Sequence, residues 1–194
     1  NGGTGNNGRG GAGGQSSVSA PILPGSGGGS YQSSYPRRRG GYGGGVIRLD
    51  IPAVTLNGVL SADGATAEYA AGGGAGGSVY VTCATYGGSE DGVIRARGGN
   101  GDINAPQVAG GGGGGGRIAL SYGSLAGQPG THFSVIGGRG YVYPSAADRR
   151  VAAMGTIWFS TTNLFSPSFS TMAGSLVVPG LTAWTSAVLT VTNT

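Results

Sequence analysis

Residues able to carry out chemistry are few in this 194-residue chain. There is one histidine, His132, and one cysteine, Cys83. That excludes the two-histidine zinc motifs and any internal disulfide. All 11 cations are arginine. Without lysine there is no P-loop and no Schiff-base chemistry. The carboxylates are Asp50, Asp63, Glu68, Glu90, Asp91, Asp102 and Asp148. Cleaving a polysaccharide would need several of them on one face. Only Glu90-Asp91 are adjacent, and they stand just before Gly92, where acids commonly cap and solvate a turn. His132 precedes Phe133 at a strand start and is expected to face solvent. No Gly-x-Ser-x-Gly elbow occurs. Gly3-Thr4-Gly5-Asn6-Asn7-Gly8 fits the dinucleotide fingerprint, but no strand precedes it and no helix pattern follows. Gly98-Gly99-Asn100-Gly101-Asp102 falls one place short of the calcium β-roll repeat, and Gly137-Gly138-Arg139-Gly140 has no acid. No catalytic residue, metal site or cofactor is therefore expected.

Arginine beside tyrosine is the chemistry that recurs. One segment carries Tyr31, Tyr35, Arg37, Arg38, Arg39 and Tyr42, and a later one Tyr141, Tyr143, Arg149 and Arg150. Guanidinium groups stack on rings and fork onto anions. Such loops suit an acidic cell-surface polysaccharide, a phosphate or a neighbouring protein, or they are simply solvated. The net charge is only +4 and the pI about 9.5, with the arginines mostly scattered. They form no continuous basic groove, so nucleic acid is not an expected partner.

The elements that would position these residues follow from composition and repetition. Glycine supplies 46 residues, about 24% against a usual ~7%. Leu, Ile, Val and Phe together make up about 19%. A core built from so little must be thin and repetitive. Four segments superimpose from a glycine: Gly45-Val46-Ile47-Arg48-Leu49, Gly77-Ser78-Val79-Tyr80-Val81, Gly116-Arg117-Ile118-Ala119-Leu120 and Gly155-Thr156-Ile157-Trp158-Phe159. Each alternates as a half-buried strand does. Ile47, Val79, Ile118 and Ile157 form one inward column, and Leu49, Val81, Leu120 and Phe159 another. Cys83 continues the inward phase and should be buried. Arg48, Tyr80, Ala119 and Trp158 fall on the outward face, either covered by a loop or free to meet sugar rings or another subunit. A second short strand follows in each unit, with inward columns Leu60, Ile94, Phe133 and Ala62, Ala96, Val135. Glycines then lead through a variable loop to a second glycine stretch, 72–77 or 110–116. These glycines are expected to serve corners with positive φ and close backbone approach.

Aligned strands in stacked units predict an all-β fold: a glycine-rich parallel β-solenoid of about four irregular coils with long glycine-rich loops. It would form one domain over 1–194, with a loop insertion at 15–44, regular repeats at 45–160 and a variant coil or partial cap at 161–194. The order strand, turn, strand, GGxG and glycine run resembles the glycine-rich parallel β-helix repeats of large secreted bacterial surface and fibre proteins. A second resemblance is to phage tail-fibre tip adhesins, whose glycine-rich segments pack as polyglycine helices. The first resemblance implies an extracellular or cell-surface, non-enzymatic structural or adhesive protein; the open ends of a solenoid predict a filament subunit or part of a long surface fibre, assembled head to tail. The alternatives are a carbohydrate- or receptor-binding tip, as on a phage tail fibre, and a β-helix polysaccharide-degrading enzyme. No apolar run approaches the length of a membrane span. Asn1 begins the chain without a basic-then-apolar leader, and both ends look cut within the repeat. The strand-like stretch at Val188, Leu189 and Val191 is expected at a contact between chains.

Overall fold

The computed structural model describes residues 1–4, 9–14, 16–31, 38–105, 108–142, 145–164 and 172–180. The strand-like stretch near Val188 lies outside them.

Two parallel sheets run the length of the molecule. The larger is built from β1 (Val46–Leu56), β3 (Ser78–Gly88), β7 (Arg117–Leu125), β11 (Thr156–Phe159) and β13 (Ser175–Val177), stacked in that order. The smaller stacks β2 (Val59–Ser61), β4 (Val93–Arg95), β8 (His132–Ser134) and β12 (Met172–Ala173). The described residues contain no helix. The chain thus winds from a long strand to a short one and on to the next rung, the architecture of a parallel β-solenoid. The register matches the predicted columns: Ile47, Val79, Ile118 and Ile157 are partners in succession, as are Leu49, Val81, Leu120 and Phe159. In the smaller sheet Leu60, Ile94 and Phe133 align likewise. Val79, Val81, Ile118, Leu120, Ile157 and Phe159 are fully buried, whereas Ile47 and Leu49 on the first rung are half-buried. Phe133 meets Phe159 edge to face at 5.0 Å, joining the two sheets. Each such side chain contributes about 1.5–3 kcal/mol of apolar burial.

Glycine builds the remaining wall. After each short strand the chain runs outward (62–67, 96–101), and it returns as 40–45, 72–77, 110–116 and 152–155 before the next long strand. Successive amides of one return segment bond to three different neighbours. Gly72 N–H donates to Gly29, Gly73 to Gly111 and Gly74 to Ala65; then Ala75 donates to Ser26, Gly76 to Gly114 and Gly77 to Ala62. The cycle repeats every third residue. A chain with three residues per turn and no internal hydrogen bonds has polyproline-II-type geometry. The glycine segments are therefore a bundle of polyglycine helices, not free loops.

This corrects the positive-φ half of the expected role of the glycines and bears out the close-approach half. Among the described glycines only Gly127 and Gly180 have positive φ. The bundle glycines are required by close approach instead: a Cβ at Gly28 would overlap the Gly72 carbonyl oxygen, and one at Gly98 that of Gly113. The segment expected as an insertion takes part in this bundle. Gly25 and Gly28 donate to Gly44 and Gly41 at 2.8 Å.

Candidate functional site

Beyond the bundle, the outward and return segments are joined by turns and short antiparallel ribbons: the turn at Glu68–Ala71, β5 (Ile103–Ala105) with β6 (Val108–Ala109), and β9 (Arg139–Val142) with β10 (Ser145–Val151). Tyr31 and Arg38 add a further antiparallel bridge, exchanging two backbone hydrogen bonds of 3.0 Å. That bridge presents both side chains to Tyr69. The Arg38 guanidinium lies 4.7 Å from the centre of the Tyr69 ring, and the Tyr31 ring lies 6.0 Å from it.

Tyr69 holds this cluster together. Its φ is 50° and that of Ala70 is 62°, in the left-handed region that side chains rarely enter. Two contacts maintain it: Tyr69 N–H donates to Asp102 Oδ2 at 2.7 Å, and Asp102 N–H donates to the Ala71 carbonyl at 3.2 Å. An unfavourable backbone held by its surroundings is a reason to look for function. The composition-based reading missed Tyr69 and Asp102. The available signal was positional, since Tyr69 lies between two glycine segments just as Tyr141 does.

The other nominated residues divide. Arg39 reaches the exposed Tyr42 hydroxyl at 3.5 Å. Tyr141 pairs in register with Arg149, and Arg150 with Gly140. Tyr35, Arg37 and Tyr143 lie outside the described residues. The outward ladder forms as predicted: Arg48, Tyr80, Ala119 and Trp158 are register partners, and the Arg48 guanidinium lies 5.7 Å from the Tyr80 ring centre. Arg48 is exposed, Tyr80 and Trp158 are half-buried and Ala119 is buried. The N-terminal segment crosses the strand starts beside this ladder. There Ser78 Oγ donates to the Leu23 carbonyl at 2.6 Å, and Arg117 donates to Ser16 Oγ at 3.0 Å.

The acids serve the fold where they are paired. Asp63 forms an ion pair with Arg95 at 2.9 Å and accepts the Arg97 amide at 2.7 Å, tying one rung to the next. Glu90 and Asp91 occupy an exposed turn. Among the described residues no three of His, Cys, Asp and Glu gather as metal ligands, and no helix is long and apolar enough to cross a membrane. Cys83 is buried with Ile51 and Tyr122 as its register neighbours, and burial pushes its thiol above the usual range. No protein family, curated protein or solved structure matches this chain.

The arrangement offers chemistry of contact: guanidinium and phenol groups on a strained turn, backed by a rigid hydrogen-bonded bundle. Such a surface suits anionic or sugar ligands through stacking and forked hydrogen bonds.

Proposed function

We propose that this is a non-enzymatic structural or adhesive protein of the cell surface or extracellular space, which assembles head to tail through the open end of its solenoid. The observation that carries this reading is the first rung. Among the described residues nothing pairs with the outer edge of β1 or β2. Ile47, Leu49 and Leu60 are only half-buried there, and Val46, Ile51 and Val59 are exposed. Pro52 removes one backbone donor from β1, but the rest of that 11-residue strand keeps a free edge. A long apolar edge is a template for another chain. A head-to-tail contact that does not close into a ring propagates as a filament.

The Tyr31–Arg38–Tyr69 cluster favours a second reading, a tip that binds carbohydrate or a receptor through the loop ends. Electron microscopy and sedimentation across a concentration series distinguish the two. The filament reading expects end-to-end association that Ile51→Lys abolishes without lowering the melting temperature, because that side chain is already 42% exposed. A monodisperse monomer at every concentration, with a saturable response on an acidic-glycan array, contradicts it and supports the tip.

A further inference from the structure

Tyrosine occupies a backbone position that suits glycine. Tyr69 and Ala70 take φ values of 50° and 62°. Glycine enters that region at no steric cost, and a ring-bearing residue does not. Glycine fills about one position in four of this chain, yet position 69 keeps a ring. Strain of this kind persists where the surroundings enforce it, and it gathers at ligand clamps. Here Asp102 enforces it by accepting the Tyr69 amide at 2.7 Å.

The ring in turn fixes an arginine. The Arg38 guanidinium lies 4.7 Å from the Tyr69 ring centre, and the backbone bridge to Tyr31 anchors the residue that carries it. A guanidinium stacked on a ring uses its face there and keeps its N–H groups in its own plane, free for other partners. One of them, Nε–H, is buried and meets no acceptor among the described residues. A buried donor without a partner is costly and rare. Nor does any carboxylate among the described residues pair with Arg38. The ion pair found there joins Asp63 to Arg95, Asp102 accepts the Tyr69 amide, and Glu68 is exposed. Arg48 makes the contrast. It stacks on Tyr80 in the same way, at 5.7 Å, but it is exposed and water can satisfy its N–H groups.

We propose that Arg38 anchors an oxyanion-binding site. The fork made by its Nε–H and the neighbouring terminal N–H receives two oxygens of a carboxylate or phosphate group, and the Tyr69 ring holds the plane of the fork. Two parallel N–H donors match the two oxygens of such a group. Arg39, the next residue, is exposed and adds a second positive charge. An acidic polysaccharide presents carboxylates and a phosphorylated partner presents phosphate, and the fork reads the chemistry common to both. The site lies at the loop ends, and its chemistry is separate from the axial contact through β1. It gives the tip reading its ligand class and rests on that reading.

The test follows the Nε–H resonance of Arg38 while the whole protein is titrated with inorganic phosphate and, separately, with a tetramer of galacturonic acid. The methyl ester of the tetramer is the neutral control. The Ile51→Lys background keeps the axial contact out of the measurement. A saturable shift by at least one anion, and none by the ester, is expected. The anion that binds more tightly identifies the group as a glycan carboxylate or a phosphate. Arg38→Lys keeps the charge but loses the fork, and should weaken binding at least tenfold. Tyr69→Gly should weaken it as much while the protein stays folded, because glycine suits the backbone there; a retained melting transition checks that it does. Arg48→Lys should leave binding unchanged. No saturable shift, equal binding by Arg38→Lys, or equal binding of the ester overturns the site. Binding to an acidic-glycan array that Arg38→Lys retains in full also overturns it, while leaving the tip reading in place.

Discussion

Tyr86 shows what burial does to a single ionisable group in so thin a core. Its side chain is fully buried and its hydroxyl donates to Thr131 Oγ1 at 3.0 Å. Burial pushes the phenol up to about 12 from an ordinary value near 10, against a smaller opposing effect of that hydrogen bond. Between those values the unfolded chain has lost a proton that the folded one keeps. Stability from this group is thus complete below about pH 10 and falls as pH rises towards 12, by about 1.4 kcal/mol per pH unit. Thermal melts from pH 9 to 12 should show that decline, and Tyr86→Phe should flatten it while losing the Thr131 bond. Cys83 gives the neutral counterpart. A desolvated thiol is a poor nucleophile, so a thiol reagent should label it slowly in the native protein and at once in denaturant. Rapid native labelling would reverse the strand phase read from Val79 and Val81. That phase was legible because alternation leaves one inward column. Tyr69 was not, because nothing in residue type announces a left-handed backbone.

The two kinds of element differ in how much of them the amino-acid sequence reveals. The sheets were legible down to register. Apolar side chains recur at fixed offsets, and a one-residue slip would turn Ile118 and Leu120 to solvent. The glycine bundle was not. Glycine has no side chain to mark a facing partner, and segments 1–4 and 25–29 bond to residues distant in the chain. Of the two uses expected of them, positive-φ corners and close backbone approach, the second is what selects them here. Position then decides the effect of adding a methyl group. Gly98→Ala places a carbon into the Gly113 carbonyl and should cost about 1–3 kcal/mol through overpacking. Gly45→Ala meets nothing within 4 Å and should be neutral or slightly stabilising. Denaturant titration of the two variants measures the contrast directly. Equal effects would mean that the bundle is looser than its hydrogen bonds require.

At the scale of the molecule, a parallel β-solenoid leans on a polyglycine bundle that supplies its remaining wall. The apolar columns stabilise the sheets by burial, and the bundle stabilises the rest chiefly through backbone hydrogen bonds, with side-chain ties added at some rungs. The rung-to-rung ties of Asp63 to Arg97 and of Asn100 to Arg139 continue the stacking where sheet gives way to glycine. This division explains how a chain with so few large apolar residues holds a fixed shape, and how it presents its Arg–Tyr loops on a stiff support. It also leaves, among the described residues, the outer edge of β1 and β2 unpaired, the place where the proposed axial contact adds a further chain. The most direct test of the architecture is the measurement of NMR couplings through hydrogen bonds for three successive amides. Gly72 should couple to the carbonyl of Gly29, Gly73 to that of Gly111 and Gly74 to that of Ala65, three partners on three different segments. Couplings that alternate between two segments, Gly72 and Gly74 to one and Gly73 to the other, would indicate a β-sheet, and the absence of any would indicate a flexible linker. Either result would contradict the polyglycine wall.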